Sequence, residues 1–250
     1  MVVDPVIFSI GSISIYWYGL TYAIGFLFSY FFITHFSKDF GLKREVVEDA
    51  FFYFVISSVI GGRLFHIIFY DLTYYLNNLS EIIRFDRGGM SIHGGIFFGF
   101  LAILFVAKKN NVNLLKITDL FVIPASLGLS FGRLANFVNQ ELVGKVTNSI
   151  FGVEFVEFEG EKRHPVVLYE SIKNMFTFQV LMFLFVIKKL QKTPGVITAW
   201  FLILFNGFRF IVDFMREPDV LIFLNISMGQ FLSLIFFLVG IILLIKLKNK

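Results

Sequence analysis

The stretch MGQFLSLIFFLVGIILLIK spans residues 228–246 and carries no charged side chain before its final lysine. A helix needs about 20 apolar residues to cross the hydrocarbon core of a bilayer, so this run is long enough. The whole chain has a matching composition: of its 250 residues, 57% are apolar, 16% are charged and 36 are Phe. Soluble domains average about 45–50% apolar and about 25% charged residues. The sequence therefore predicts an integral membrane protein.

Apolar runs of similar length recur along the chain, so we expect an all-α polytopic membrane protein with about seven transmembrane helices. The runs lie at residues 17–36, 48–70, 90–107, 117–137, 166–187, 195–214 and 228–246. Nothing in the sequence suggests a second domain, so we expect a single integral membrane domain over residues 1–250. The longest connection is 138–165, in which apolar and acidic side chains alternate from Val153 onward as in a half-buried strand. We expect this insertion to be a small external head containing β structure.

The loops on the two sides of the predicted helices differ in Lys and Arg content. The loops after spans one, three and five, together with the C-terminus, hold twelve basic residues, whereas the opposite side holds six. Basic loops are retained in the cytoplasm, so we expect a cytoplasmic C-terminus and an outside N-terminus. The first fifteen residues lack Lys and Arg, and we expect them on the outer surface, with turns at Asp4-Pro5 and Gly11-Ser12.

Four basic residues remain inside the predicted spans. An Arg at the bilayer centre costs at least about 2.5 kcal/mol on insertion scales, so each one requires a partner or a function. With the expected orientation, all four fall at one depth near the outer face; they are Arg63, Arg133, Lys173 and Arg209. Snorkelling of each side chain to the interface is an alternative explanation of that depth.

Two of these arginines begin a polar helical face at the end of a span, with spacing i, i+3 or i+4, i+7. On the sixth span the residues are Arg209, Asp213 and Arg216; on the fourth they are Arg133, Asn136 and Gln140, with Asn139 and Glu141 alongside. A guanidinium presents a planar fork of donors that matches phosphate oxygens. The pattern indicates an anion site, or else a structural ion-pair network that joins the two helices.

A glycine-rich stretch, Arg87-Gly-Gly-Met-Ser-Ile-His-Gly-Gly95, lies at the start of the third span. Its glycines allow backbone to approach a ligand or a neighbouring helix closely. His93 within it is either a hydrogen-bonded structural residue or a base. Tyr16-Trp17-Tyr18 is typical of an aromatic belt, although a tyrosine hydroxyl there is also placed to reach the site.

Several chemistries are excluded by residue counts. The chain has no Cys, which excludes a cysteine nucleophile, and its four His residues, at 35, 66, 93 and 164, lack metal-binding spacing. We expect no metal and no cofactor. The net charge of +4 does not indicate nucleic acid, because basic residues in a membrane chain are first of all topology signals.

Residues 132–144, GRLANFVNQELVG, resemble the signature Gly-Arg-x-x-Asn-Phe-x-Asn-x-Glu-x-x-Gly of the bacterial prolipoprotein diacylglyceryl transferase family, with all seven fixed positions present. The resemblance extends along nearly the whole chain. It includes residues 4–11, 17–20, 61–63, 88–95, 163–165, 168–170, 208–209, 216–219 and 226–230.

The resemblance implies an inner-membrane enzyme that transfers the sn-1,2-diacylglyceryl group of phosphatidylglycerol to the lipobox Cys thiol of a prolipoprotein signal peptide. A thioether forms and glycerol 1-phosphate leaves, as the first step of bacterial lipoprotein maturation. The implied partners are phosphatidylglycerol, the prolipoprotein signal peptide with its lipobox Cys, and membrane lipids.

The resemblance also points to individual residues. Arg133 and Arg209 match the two arginines on which the family depends most, and we expect them to hold the phosphate while His93 assists deprotonation of the thiol. The residues expected to bind phosphatidylglycerol are Arg133, Asn136, Asn139, Glu141, Gly144, Tyr18, Arg63, Asp213 and Arg216.

Three positions depart from the family pattern: Asp213 replaces Glu, Phe205 replaces Tyr, and Val166-Val167 replace a polar pair.

A different interpretation of the arginines inside the predicted spans is that the protein is a secondary transporter of an anionic substrate. Transporters usually bind substrate near the bilayer midplane and contain internal repeats. Here the charges fall near one face, and the only repeat found is Gly-Arg-Leu at 62–64 and 132–134.

Overall fold

The computed structural model describes residues 6–10, 13–84, 88–217 and 226–249, and this part of the chain is mostly helical. Its α-helices are α1 Trp17–Phe36, α2 Arg44–Phe69, α3 Leu72–Asn77, α4 Ile92–Lys109, α5 Leu114–Val138, α6 Val166–Val186, α7 Val196–Val212 and α8 Met228–Lys248. Seven of them coincide with the seven predicted apolar runs to within four residues at either end, which confirms the helices at those positions.

By length and composition, six of the described helices could cross a membrane; they are α1, α2, α4, α5, α7 and α8. The chain is therefore a multi-pass membrane protein. Helix α6 is as long as these, but its first half carries Glu170, Lys173 and Asn174, all of them buried. These polar groups lower its hydropathy, so a seventh span remains a prediction.

The short elements at the N-terminus and after α2 were not predicted. Strand β1, Val6–Ile10, pairs antiparallel with β2, Ile13–Tyr16, immediately before α1. The expected turn at Gly11-Ser12 falls between these strands, but it lies outside the described residues, as does Asp4-Pro5. Helix α3 has only six residues, too few to produce an apolar run that periodicity could detect.

The fold contains two compact units, one of residues 34–118 and one of residues 1–33 with 119–250, which we call the small and the large unit. The expectation of a single domain over residues 1–250 remains a prediction.

In the small unit, α2 and α4 pack closely because glycines line their contact. A Cβ atom at Gly94 would lie 2.3 Å from the Cβ of Phe65 and 2.4 Å from the carbonyl oxygen of Gly61.

In the large unit, buried polar side chains join the helices. Ser130 of α5 and Ser171 of α6 each donate to the other's carbonyl oxygen at 3.0 Å. Asp119 of α5 is fully buried and accepts hydrogen bonds from the backbone N–H groups of Gly195 and Thr198, both at 2.7 Å, and from the Thr198 hydroxyl at 2.6 Å. Since the first N–H groups of a helix have no intrahelical acceptor, Asp119 caps α7 from another helix.

The long connection after α5 contains the predicted β structure in a shorter form. Strands β3, Val153–Glu154, and β4, Lys162–Arg163, pair antiparallel. Strand structure was expected to continue beyond Glu154, but residues Val156–Phe158 form a 3-10 turn instead. The position of the 138–165 connection outside the membrane remains a prediction.

We expect Asp119→Asn to destabilise the fold, because an amide has only one acceptor oxygen for the three donors that now meet a carboxylate. Hydrogen bonds to a charged group are worth about 1.5–3 kcal/mol, so the thermal midpoint in detergent should fall by roughly 3–12 °C. Asp49→Asn alters an exposed carboxylate of α2 and is the matched control. Equal thermal midpoints for the two variants would contradict the capping of α7 by Asp119.

Candidate active site

The buried carboxylate of Glu170, in the second turn of α6, joins two arginines of the large unit. One of its oxygens pairs with Nε of Arg133 on α5, and the other accepts a hydrogen bond from Nη1 of Arg209 on α7 at 3.3 Å. The Glu170 side chain is 3% exposed, whereas each arginine side chain is 24% exposed. One carboxylate thus fixes both guanidinium groups and leaves part of each accessible to a ligand.

Side chains from the end of α5 and the loop after it extend this cluster. Nη1 of Arg133 donates to Oδ1 of Asn136 at 3.2 Å, and Nδ2 of Asn136 donates to Glu141 at 2.7 Å. Nδ2 of Asn139 donates to the other oxygen of Glu141 at 3.1 Å. Because Glu141 accepts from the amide nitrogen of Asn136, the amide oxygen is turned towards Arg133. Four predicted site residues therefore form one hydrogen-bonded chain.

Asp213, which was predicted one turn after Arg209, is held by the start of α8. Asp213 is buried and accepts a hydrogen bond from the Ser227 hydroxyl, and Ser227 also caps α8. A Cβ atom at Gly229 would lie 3.3 Å from both carboxylate oxygens of Asp213 and 3.5 Å from Nη2 of Arg209. The missing side chain of Gly229 thus gives space to both residues. Arg216 forms an isolated β-bridge with Gly144.

Gly144 was predicted to bind lipid, but its surroundings indicate a packing role. A Cβ atom there would lie 2.5 Å from the carbonyl oxygen of His164, 2.5 Å from Cγ2 of Val166 and 2.7 Å from the carbonyl oxygen of Met215. Its N–H donates to His164 at 3.1 Å. Only glycine allows the loop after α5 to meet the start of α6 and the end of α7 this closely.

Tyr18 interacts with a second tyrosine that the sequence analysis did not select. Its hydroxyl donates to that of Tyr22 at 3.3 Å, and the two rings are 4.7 Å apart. The Tyr22 hydroxyl lies 3.3 Å from the point where a Cβ of Gly132 would be. The i, i+4 spacing from Tyr18 is the sequence signal that could have identified Tyr22.

Arg63, in the small unit, binds backbone rather than an open surface. Its side chain donates to the carbonyl oxygens of five residues at 2.5–3.0 Å, namely Glu81, Ile82, Arg84, Gly88 and Gly89. A guanidinium has five N–H donors, so these bonds occupy all of them. Arg63 is 3% exposed and lies over the ring of Tyr75. The geometry therefore supports a structural role for Arg63, and its expected contact with lipid remains a prediction.

His93, also in the small unit, lies in the first turn of α4 and is exposed. It makes no hydrogen bond to the residues that the structure describes. Its predicted role as a base therefore remains a prediction. Two parts of the sequence motifs lie outside the described residues. They are Arg87, which begins the same glycine-rich stretch, and residues 218–219, which belong to the family resemblance.

A family model for prolipoprotein diacylglyceryl transferase matches residues 5–246, which is nearly the whole chain. The chain belongs to the prolipoprotein diacylglyceryl transferase family. This diacylglyceryl transferase is therefore a membrane enzyme, and the family match decides against the anion transporter considered from the sequence.

The transferase is similar to curated relatives named phosphatidylglycerol–prolipoprotein diacylglyceryl transferase. One from Rickettsia bellii (strain OSU 85-389) is 37% identical over 250 residues, with 98% of this chain and 95% of the relative covered. One from Ehrlichia canis is 36% identical over 259 residues, with 100% and 99% covered. One from Geobacter sulfurreducens is 35% identical over 254 residues, with 99% and 96% covered.

We expect Gly144→Ala to reduce the yield and thermal midpoint of the transferase, because the new methyl group would overlap three backbone or side-chain atoms. Overpacking typically costs about 1–3 kcal/mol, which lowers the thermal midpoint by roughly 2–12 °C in a protein of this size. The control is Gly128→Ala in α5, where the nearest heavy atom to an added Cβ is 4.0 Å away. A Gly144→Ala variant as stable as the control, but inactive, would instead favour the contact with lipid expected from the sequence.

Proposed function

We propose that this protein transfers the sn-1,2-diacylglyceryl group of phosphatidylglycerol to the lipobox Cys thiol of a prolipoprotein signal peptide. The thiol sulfur forms a bond to the glyceryl carbon while the bond from that carbon to the phosphate oxygen breaks. The products are a thioether and glycerol 1-phosphate, and the thiol proton passes to a base or to the leaving phosphate. Family membership supports this reaction, and the arginine pair on Glu170 is the observation that carries it.

The arginine pair suits the leaving group. When the ester bond breaks, the phosphate gains a second negative charge, and donors already oriented towards that charge lower the barrier. Among the described residues, Arg133 uses two of its five N–H donors, on Glu170 and Asn136. The remaining donors suit phosphate oxygens. Because Glu170 holds both guanidinium groups before substrate arrives, little reorganisation is needed during the reaction.

The acceptor thiol must lose its proton to become a strong nucleophile. A free thiol has a pKa of about 8.5, so a base or a cationic field is needed near neutral pH. We assign the base to His93, following the family resemblance. An alternative is that the field of the arginines alone favours the thiolate.

For the membrane arrangement, we propose seven spans, with α6 as the seventh, in the bacterial inner membrane. The N-terminus and the 138–165 head would lie outside and the C-terminus in the cytoplasm. The excess of basic residues in the loops after the first, third and fifth spans supports this orientation. Because the chain lacks Cys, single cysteines at Lys145 and Lys192 can be labelled separately in intact cells. Labelling of Lys192→Cys by an impermeant maleimide, without labelling of Lys145→Cys, would reverse the proposed orientation.

The reaction is tested with purified protein, phosphatidylglycerol and a synthetic lipobox peptide. We expect release of glycerol phosphate together with a peptide whose mass has increased by one diacylglyceryl group. A peptide with Ser in place of the lipobox Cys is the control for thiol dependence. Folded protein that releases no glycerol phosphate would contradict the proposed function.

We expect Arg133→Lys to lower the transfer rate by at least about a hundredfold, because an ammonium group cannot form the guanidinium fork. The variant should still insert and purify as a folded protein. Arg44→Lys, at an exposed position where Arg44 pairs with Glu48, is the matched control and should keep its rate. A fully active Arg133→Lys variant would exclude the phosphate contact.

For His93→Gln, the expected result is a loss of transfer that is largest at low pH, where the thiol most needs a base. Rates are measured between about pH 6 and 9, with wild type as reference. If the variant transfers at a nearly wild-type rate across that range, His93 is not the base and the cationic field suffices.

A further inference from the structure

The segment after α2 carries exposed aliphatic side chains outside the predicted spans. Helix α3, Leu72–Asn77, is followed by a 3-10 turn at Leu79–Ile83. Four aliphatic side chains of this segment are between 46% and 76% exposed, and we call them the patch; they are Leu72, Leu76, Leu79 and Ile83. Leu72 and Leu76 are one helical turn apart, so they share a face of α3.

The other side of this segment packs on the end of α2. Tyr75 is buried, and Cζ of Arg63 lies 5.1 Å from the centroid of its ring. The Arg63 side chain also donates to carbonyl oxygens in the 3-10 turn and just after it, namely those of Glu81, Ile82 and Arg84. The segment therefore has one side fixed against α2 and another side, the patch, that is exposed.

The hydrogen bonds of Arg63 allow irregular backbone to lie beside a membrane. Short helical elements leave many of their carbonyl groups without an internal donor. At membrane depth, such backbone is tolerated only where the protein itself satisfies it. The five carbonyl oxygens that Arg63 binds all belong to the 3-10 turn and the loop after it. Lipid beside this segment would therefore not meet these carbonyl groups unpaired.

The patch continues the lipid-facing surface of α2. That helix is long and apolar enough to cross a membrane, and its exposed side chains Leu64 and Ile68 therefore face lipid. From Ile68 to Leu72 every residue is exposed, and only Asp71 among them is charged. Tyr74 is exposed as well, and tyrosine is enriched where hydrocarbon meets water. Lipid is therefore the partner that fits the patch.

We propose that residues 72–83 form an interfacial segment that lies in the headgroup region of the leaflet in which α2 ends. The patch enters the upper part of the acyl chains, as the apolar face of an interfacial helix does. Arg63 is the buried clamp that holds the segment in this orientation. With the proposed topology, this leaflet is the outer one. The inference goes beyond the proposed function, because it concerns attachment to the bilayer and not transfer.

The proposal is tested by the depth of a fluorescent label in lipid nanodiscs. Because the chain lacks Cys, NBD attached to one introduced cysteine reports a single position. Leu76→Cys lies in the patch, and Asn77→Cys, at an exposed residue about 100° further round α3, is the matched control. Lipids with a nitroxide near the headgroup end of the acyl chain should quench the Leu76 label at least about threefold more than the Asn77 label. Equal quenching of the two labels would overturn the proposal.

A second set of lipids carries the nitroxide at the centre of the acyl chain and distinguishes shallow from deep insertion. These lipids should quench the Leu76 label less than the shallow nitroxides do. Leu238→Cys, at an exposed residue in the middle of α8, is the reference for a deep position and should show the reverse order. If the Leu76 label shows the same depth order as the Leu238 label, the segment is not interfacial.

The part assigned to Arg63 is tested with the same two labels. Arg63→Met removes the donors that hold the segment, so the difference in quenching between the Leu76 and Asn77 labels should fall by at least about twofold. Arg44→Met, at an exposed arginine of the same helix, is the matched control and should leave this difference unchanged. Arg63→Lys, which has fewer donors, replaces Arg63→Met if that variant does not fold. An unchanged difference in the folded variant would overturn the clamp.

Other occupants of the patch give different results. If the Leu76 label is shielded only in nanodiscs that hold two copies of the protein, the patch is an interface between copies and the proposal is overturned. A synthetic prolipoprotein signal peptide should not change the lipid quenching of this label. If the peptide removes that quenching, the patch binds peptide instead of lipid. None of these measurements needs transfer activity, so a failure of the proposed function would be seen separately.

Discussion

The pairing of one buried carboxylate with two arginines is the constraint on which the site depends. Arg133 and Arg209 lie on different helices, and without Glu170 their positive charges would repel each other inside an apolar surrounding. Sharing one carboxylate lets α5, α6 and α7 meet at one point. It also leaves each guanidinium with donors to spare, because a single carboxylate cannot satisfy two of them. The same interaction thus supports the fold and keeps the site able to bind an anion.

The polar residues around this pairing hold it in place from several directions. Ser130 and Ser171 fasten α5 to α6 beside Arg133 and Glu170, and Asp119 fastens α5 to the start of α7. In a membrane, packing and hydrogen bonds hold helices together, because lipid tails are as apolar as the helix surfaces. The buried polar groups of the large unit are therefore what fixes the distances between the functional side chains.

Much of the helical structure could be predicted from the sequence, because the length of an apolar run reports directly on a membrane-crossing helix. The motif around Arg133 was also visible, since its residues are close together in the chain. Glu170 was not selected, because its importance comes from partners on two other helices. The contacts of Arg63 and Gly144 were not predicted for the same reason. Residue type does not reveal that five carbonyl oxygens surround Arg63, or that two chain segments, at residues 164–166 and at Met215, contact Gly144. Strands β1 and β2 and helix α3 were not predicted, because each has too few residues to establish a period.

The order of Arg63 and its acceptors along the chain has a consequence for biosynthesis. Arg63 leaves the ribosome before Glu81, Ile82, Arg84, Gly88 and Gly89, whose carbonyl oxygens it binds, and Arg133 leaves before Glu170. During synthesis Arg63 therefore precedes all five of these acceptors, and Arg133 precedes the carboxylate that it shares with Arg209. Water or lipid phosphates must accommodate these charges until the later segments arrive. The contacts that hold these two arginines thus form only after the later segments have been synthesised.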